Sequence, residues 1–572
     1  MPRFNVVVAC ATLAACSGPA EAPPVAPNGP DLTVEALFAA ERLIEVQIDM
    51  IPSDWDALRH QVRDIVQEFG PGCLDGPRTS PYTWFEATVT VDGRRLDRTG
   101  VRKKGLIGSL HTQKPSLKLK FDHFVKDQRL AGLSRLVLNN SKQDTSYARQ
   151  CLAYSVFGAA GTPAPRCGLA HVTLNGRDLG VYVTLEAYDK KLLGQFFGGD
   201  DGQLWEGSNA DFRPELVPMF EPKDDAPDPD RSRLTAVTAA LASPDDAVEA
   251  QVEPLLDVEE FLSFWAAEVL LAHFDGFANS ANNFYVYDDP ASNRLAFLPA
   301  GVDSTFSNLN PYRKGDDVPH AVFAGSALPR RLYEVPSTRD RYVARLRALL
   351  KSAWDETALL SRLDRIAALV APHLDEPGRA DLAREGQAVR EFIQGRRAVL
   401  EPELDAPPAW SYPLDALTCR AGADAIHATF AAAWGSFDAD VPFLEGEATL
   451  AIDGPQGPID AANTGSVIGP PHNATPDVGI LIVALTKDGF VKVLYVLMPD
   501  EEVVAGATVP IDYSRAYSVL VDVQFPDRST ARVLGDVASG TIHFDGVDRT
   551  PGGTVSGSLD GILYSGVPAG GE

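Results

Sequence analysis

The chain is poor in cysteine, in positive charge and in long apolar runs, and each shortage excludes a class of protein. Its six cysteines among 572 residues show neither CxxC nor mixed Cys/His spacing, which excludes a metal centre built on cysteine. Lysine and arginine number 51 against 78 acidic residues, a formal charge of -27, so the basic footprint of a nucleic-acid binder is missing. The same balance excludes adhesion to anionic lipid by charge. No apolar run reaches the roughly 20 residues that a membrane-spanning helix takes. The signatures GxSxG, HExxH and GxxxxGK[ST] are absent. What remains, 45% hydrophobic and 23% charged residues, is the composition of a folded globular protein with room for two or three domains.

The amino end, MPRFNVVVACATLAACSG, carries Arg3, an apolar stretch from Val6 to Ala15 and small residues before Cys16. That is the pattern of an export signal. Leu13-Ala14-Ala15-Cys16 also resembles the bacterial lipobox, which implies that residues 1–16 are a lipoprotein signal and that Cys16 becomes the lipidated anchor. The following Pro/Ala-rich stretch, 17–33, cannot bury a core and reads as a tether. Export puts Cys73, Cys151, Cys167 and Cys419 in an oxidising setting, where three pairings are open; Cys151 with Cys167 is the simplest.

Residues 40–60 read as a strand followed by a helix capped at Ser53, with Asp56 completing a capping box. A hairpin turns at Asp92-Gly93, and KPSLKLKF (114–121) is a third strand with its leucines on one face and Lys118 and Lys120 on the other. A helix over 144–161 and a hairpin turning at Asn175-Gly176 complete a small sheet of about five strands, the helix being inserted after the third. The acidic loop EPKDDAPDPD (221–230) offers carboxylates for calcium only weakly. From Asp257 the chain is mainly helical, starting with a segment apolar all round and therefore buried, with Asp257 and Glu260 as its caps. Further amphipathic helices fall near 338–352, 356–372 and 381–402. A proline joint near 405 precedes glycine-punctuated alternation over 415–572, which predicts an antiparallel β-sandwich.

A small sheet with an inserted helix, then a larger helical part, is the lobe order of the protein-kinase fold. Phosphoryl transfer there needs a carboxylate near the attacking hydroxyl, a polar metal contact shortly after it, and a second carboxylate one hairpin later. Asp275, then Asn283 or Asn282, then Asp303 occur in that order. Each alone also reads as a turn or strand-end residue, and His273 reads as a loop or core histidine.

Several runs also resemble the CotH-like (spore coat protein H) family of atypical protein kinases. They are IEVQIDMIPSDWDAL, GVRKKG, KPSLKLKF, LVLNNSKQDTSYARQCLAYSVF, LNGRDLGVYVTLEAYDKKLL, and NNFYVYDDP followed by LPAGVDSTF. The resemblance implies an α+β fold: a two-lobed kinase-like domain over 34–405, with its small lobe about 40–190 and helical lobe about 191–405, then the β-sandwich. It implies Asp275 as the catalytic carboxylate, Asn283 and Asp303 as metal ligands, and a lysine of KPSLKLKF on phosphate, with Lys118 ahead of Lys114. Arg102 and Lys104, beside Gly105 and Gly108, are placed to meet phosphates, and Glu186 falls at the link between lobes near the ribose or adenine. Three departures stand out, the first being that the interval from Asp275 to Asn283 is longer than in typical protein kinases, which leaves the choice between Asn282 and Asn283 open. Many relatives carry WDxD where this chain has Ala300-Gly301-Val302-Asp303, so the first aspartate is Gly301. No GxGxxG precedes KPSLKLKF.

The implied function is a lipid-anchored kinase at the cell envelope, moving the γ-phosphoryl group of ATP, with Mg²⁺ or Mn²⁺, to a protein hydroxyl, its own included. No nucleic acid is involved. Scarcity of ATP outside the cytoplasm and Gly301 support an alternative, a non-catalytic surface, adhesion or envelope-assembly lipoprotein on a kinase-like scaffold. A metal-dependent hydrolase using the same carboxylates is a third reading.

Overall fold

The computed structural model describes residues 31–106, 111–199, 201–223, 230–308, 318–412, 414, 419–437, 446–454, 457–470, 477–487, 490–512, 515–524 and 531–565. Cys16, the export signal, most of the tether, Gly108 and residues 224–229 of the acidic loop lie outside them.

Seven strands form a closed barrel: β1 (Leu43–Met50), β2 (Phe85–Val91), β3 (Arg94–Lys103), β4 (Leu117–Lys120), β5 (Arg135–Asn139), β6 (Cys167–Leu174) and β7 (Arg177–Glu186). Their order is β1-β2-β3-β4-β5-β7-β6, and a parallel pairing of β1 with β6 closes the ring. Alternation drives it: Ile44, Val46, Ile48 and Met50 are buried along β1, with Glu45, Gln47 and Asp49 outside. The two hairpin turns read in the sequence are present, with Asp92 and Gly93 at φ 47° and 80° and Asn175 and Gly176 at φ 50° and 78°.

The expectation of about five strands with a helix after the third is corrected here. β5 pairs between β4 and β7, and the Arg149–Ala159 helix follows it. The Ser53–Asp56 capping box does not form either, because the helix starts at Pro52 with Ile51 as an extended cap and no side-chain cap bond.

The Val258–Leu270 helix is the axis of the larger part, with every residue from Phe261 to Leu270 buried. Asp257 caps it, accepting from the Glu259 and Glu260 amides at 3.1 Å each. Glu260 does not cap. It accepts from the Phe297 N–H at 3.1 Å, and burial pushes its carboxyl up to about 8. The helix packs against the Pro336–Ser352 helix and against a second sheet of β8 (Gln203–Gly207), β9 (Glu221–Pro222), β10 (Phe284–Asp289) and β11 (Arg294–Pro299), ordered β11-β10-β8-β9. Helices Ser232–Leu241, Ala327–Glu334, Glu356–Val370 and Glu376–Asp405 also belong to this part. Among the described residues no helix is long and apolar enough to cross a membrane.

Beyond the proline joint, nine strands from β12 (Ala421–Ala433) through β15 (Asp477–Thr486) to β20 (Thr554–Ser565) make one antiparallel sheet. This corrects the two-sheet sandwich. Register shifts, among them Gly422/Asp424, Ala461/Asn463 and Val537/Ser539, bend the strands. The sheet curls until its far ends touch: Gly446 bridges Ser466 and Trp434 bridges Ile468. Its core, including Ile426, Phe430 and Phe544, is separate from those of the barrel and the helical body. Among the described residues two disulfides are present, Cys151–Cys167 and Cys73–Cys419; the second joins the barrel side of the molecule to the start of the C-terminal sheet.

Candidate functional site

The site grows from the end of the buried Val258–Leu270 helix. Glu268, fully buried, accepts the N–H groups of Phe277 and Ala278 at 2.8 Å each, which fixes the short turn carrying Asp275. His273 is also fully buried, with Nδ1 3.5 Å from Glu268 and Nε2 3.3 Å from the Gly301 carbonyl, so it braces the loop from inside. Asn282 donates to Asp275 Oδ1 at 3.2 Å, and Asn283 Nδ2 donates to Asp275 Oδ2 at 2.7 Å and to its carbonyl at 2.9 Å. Asp275 and both candidate asparagines therefore form one cluster.

The β10–β11 hairpin then brings Gly301 against it. Gly301 has φ +52°, and a Cβ there would lie 2.2 Å from Asn283 Oδ1. The space that the first carboxylate of a WDxD pair would enter is filled by Asn283. Asp303, two residues on, is half-buried. Burial pushes its carboxyl up to about 6, with Asp144 and Asp275 pushing the same way and Lys104 opposing them.

Lys104 and Lys118 enter from the barrel. Lys104, just past β3, donates its amide to the Ser116 carbonyl at 3.0 Å and its Nζ to Asn139 Oδ1 at 2.7 Å. Burial lowers its ammonium, and Asp303 is the foremost charge supporting it. Lys118, in the middle of β4, is lowered to about 7 by burial and supported by Glu206. Glu206, on β8, is held down at about 2 against its own burial by Lys223, Lys118 and Lys104. The two lysines, Glu206 and Asp303 thus share one electrostatic site between barrel and helical body.

Three other candidates lie elsewhere or have other partners. Lys114 has its Nζ 5.4 Å from the Tyr147 ring centre and 5.1 Å from that of Tyr182, and the charges felt by its ammonium are Lys142 and Asp178. Arg102 stacks over Trp84 at 4.6 Å, within electrostatic reach of Glu206. Glu186 takes both its bonds from Arg166, at 2.9 and 3.0 Å, and burial raises its carboxyl. The reading of the sequence does not single out Glu206, Lys223 or Asn139. The alternation of GQLWEG marks a strand, and nothing local says that Glu206 faces two lysines of a different sheet.

Among the described residues no group of three or more His, Cys, Asp and Glu side chains is arranged to hold a metal ion. The chemistry of Asp303 nevertheless fits a hard cation. A buried carboxyl raised by two neighbouring carboxylates is relieved by a positive ion beside it, and the amide oxygen of Asn283 is a donor of the same class.

A barrel set against a helical body, with lysines of one facing carboxylates of the other, is the arrangement of a kinase-like protein. The chain belongs to the CotH kinase protein family, which matches residues 101–400, more than half of it. It is 23% identical over 300 residues to the inner spore coat protein H of Bacillus subtilis, covering 49% of this chain and 81% of that one. It is 24% identical over 264 residues to invasin CotH7 of Rhizopus delemar, covering 43% of this chain and 44% of the invasin. Among solved structures it is similar to the Helicobacter pylori proinflammatory kinase CtkA, at 10% identity and a TM-score of 0.23, over 51% of this chain and 93% of the other.

Proposed function

We propose that the protein is an exported, lipid-anchored kinase that transfers the γ-phosphoryl group of ATP to a hydroxyl of a cell-envelope protein or of itself. The observation that carries this reading is the shared electrostatic site in which the charge of Lys104 acts on Asp303 and that of Lys118 acts on Glu206. Mg²⁺ or Mn²⁺, held by Asp303 and Asn283, would neutralise charge on the phosphates. Lys118 and Lys104 would bind phosphate oxygens, and the close burial that lowers both ammonium groups strengthens each contact with an anion. Asp275, fixed by the two asparagine amides, would orient the acceptor hydroxyl and accept its proton as the oxygen–phosphorus bond forms. Arg102 is a further candidate for phosphate. For Lys114 and Glu186 the aromatic contacts and the Arg166 pair favour structural roles.

Export is supported by both disulfides, which belong to an oxidising compartment. The relative named as an inner spore coat protein supports a place outside the cytoplasm. We also read residues 34–405 as the kinase-like unit and 415–572 as a separate β unit. Calorimetric titration of the chain from residue 33 onward with ATP, with and without Mg²⁺, tests the proposal. Metal-dependent binding that Lys118→Ala and Lys104→Ala each weaken at least about tenfold supports it, tenfold being the loss of one charge-assisted contact.

The packing of Asn283 into the place of a second carboxylate favours the alternative scaffold reading. Under it the titration shows no nucleotide binding at all.

A further inference from the structure

We propose that Asp477, at the head of β15 in the C-terminal sheet, is a positioning residue for Lys104, clamping the two barrel segments that hold this lysine. The inference rests on the reading of Lys104 as a cleft residue given above. Asp477 is only 5% exposed and reaches into the barrel, accepting from His111 Nε2 at 2.7 Å and from Lys142 Nζ at 3.3 Å. The tautomer of His111 follows from its other nitrogen. Nδ1 accepts the Lys114 N–H at 3.2 Å, so the ring proton sits on Nε2 and is donated to Asp477. His111 thereby ties the C-terminal sheet to the backbone that leads into β4, and Lys142 ties it to the stretch just after β5.

Those two segments are the ones that hold Lys104. Ser116, before β4, accepts its amide at 3.0 Å, and Asn139, at the end of β5, accepts its Nζ at 2.7 Å. They are also laced to each other: Asn140 donates its N–H to Ser116 Oγ at 3.0 Å and its Nδ2 to the Lys114 carbonyl at 2.7 Å. A second carboxylate of the C-terminal part, Glu501 in the turn Asp500–Glu502, bonds Arg59 at 2.9 Å and also Gln113 in the same segment. Mere tethering does not require Asp477, because the Cys73–Cys419 disulfide already joins the sheet to the barrel side. A buried carboxylate that takes one bond from each segment instead fixes their spacing, and with it the direction of the Lys104 ammonium.

The test compares Asp477→Asn with wild type in the full chain, since asparagine keeps the shape and loses the charge. Asp477→Glu serves as rescue, and Lys487→Gln, which breaks an exposed 2.6 Å pair with Asp460 on the same sheet, as control. Amide hydrogen exchange and ATP kinetics are the readouts. Asp477→Asn should speed exchange over 111–118 and 139–142 about tenfold, the loss expected for one buried charge-assisted bond, without loosening the rest of the sheet. It should raise the KM for ATP by a similar factor while kcat stays within about threefold, with Asp477→Glu partly restoring both. Unchanged exchange in the two segments overturns the proposal. So does equal loosening throughout the sheet, or an unchanged KM in a chain whose segments have loosened. If the wild-type chain binds no ATP, the kinase reading fails while the exchange pattern still decides whether Asp477 is the clamp.

Discussion

Replacing Gly301 by alanine should damage the site through Asn283. At φ +52° any residue with a Cβ pays about 1–2 kcal/mol for the left-handed backbone. The new Cβ would also stand 2.2 Å from Asn283 Oδ1 and 2.5 Å from its Cγ, so that side chain must swing away. In doing so it gives up its bonds to the Asp275 carbonyl at 2.9 Å and to Oδ2 at 2.7 Å. Such bonds are worth about 1 kcal/mol each, and somewhat more where the acceptor is charged. The whole cost is therefore about 2–4 kcal/mol, part of it recoverable elsewhere in the loop. Chemical denaturation of Gly301→Ala, Asn283→Gly and the double variant measures it; glycine at 283 tolerates the φ of 52° found there. With the asparagine side chain gone the clash is gone too, so the double variant should be more stable than the sum of the two losses predicts, by about 1 kcal/mol or more. Additive losses, or a Gly301→Ala change under about 0.5 kcal/mol, would refute the reasoning. Gly301→Asp meets the same obstruction, so restoring the family's first aspartate should not by itself create a second metal contact.

Metal-dependent nucleotide binding should have a pH window. Asp303, raised to about 6, is protonated and unable to hold a cation below that pH, so binding should strengthen as pH rises from 5 to 7. Lys118, lowered to about 7, loses its charge above that pH, so phosphate affinity should fall toward pH 9; a flat profile in calorimetry from pH 5 to 9 would remove both residues from the site. Limited proteolysis should cut between 406 and 412, just past the Glu376–Asp405 helix, and the fragments should separate on a gel only after reduction, because Cys73–Cys419 spans the cut. Resistance there would count against two folding units. Cys16→Ala should move the protein from the membrane fraction to the soluble one, and continued membrane association of a processed chain would rule out the lipid anchor.

Periodicity made much of the fold legible. The buried helix from Val258, the hairpins turning at Asp92-Gly93 and Asn175-Gly176, and the order Asp275, Asn283, Asp303 all lie in short stretches whose pattern is local. β5 carries little signal in the sequence, because RLVLN is five residues long and fully apolar in its middle, with no alternation to mark it. Barrel closure was not legible, since the β1–β6 pairing joins segments more than a hundred residues apart. The single curled sheet was read as a sandwich for a related reason: alternation gives the buried face of each strand and says nothing of whether the ladder closes or splits. In the site, strand alternation favours Lys118 and Lys114 and says nothing for Lys104, which lies just past β3 with Asp303 as a charged neighbour, whereas the contacts of Lys114 are aromatic. Glu206 feels lysines of the barrel and Asp477 bonds His111 and Lys142 in barrel loops, all far away in sequence, and such charges carry no local signature.

The central claim is that Asp303 and Asp275 divide the work of phosphoryl transfer between holding the cation and orienting the hydroxyl. It is tested most directly by measuring Mg²⁺-dependent ATP binding and phosphate incorporation side by side for wild type, Asp303→Ala and Asp275→Ala. The account predicts that Asp303→Ala loses binding and transfer together, since a cation ligand is gone. It predicts that Asp275→Ala still binds nucleotide while transfer falls roughly 10²-fold or more, with melting temperatures close to wild type in both. Wild-type protein that shows neither metal-dependent nucleotide binding nor transfer to any acceptor, itself included, would contradict it.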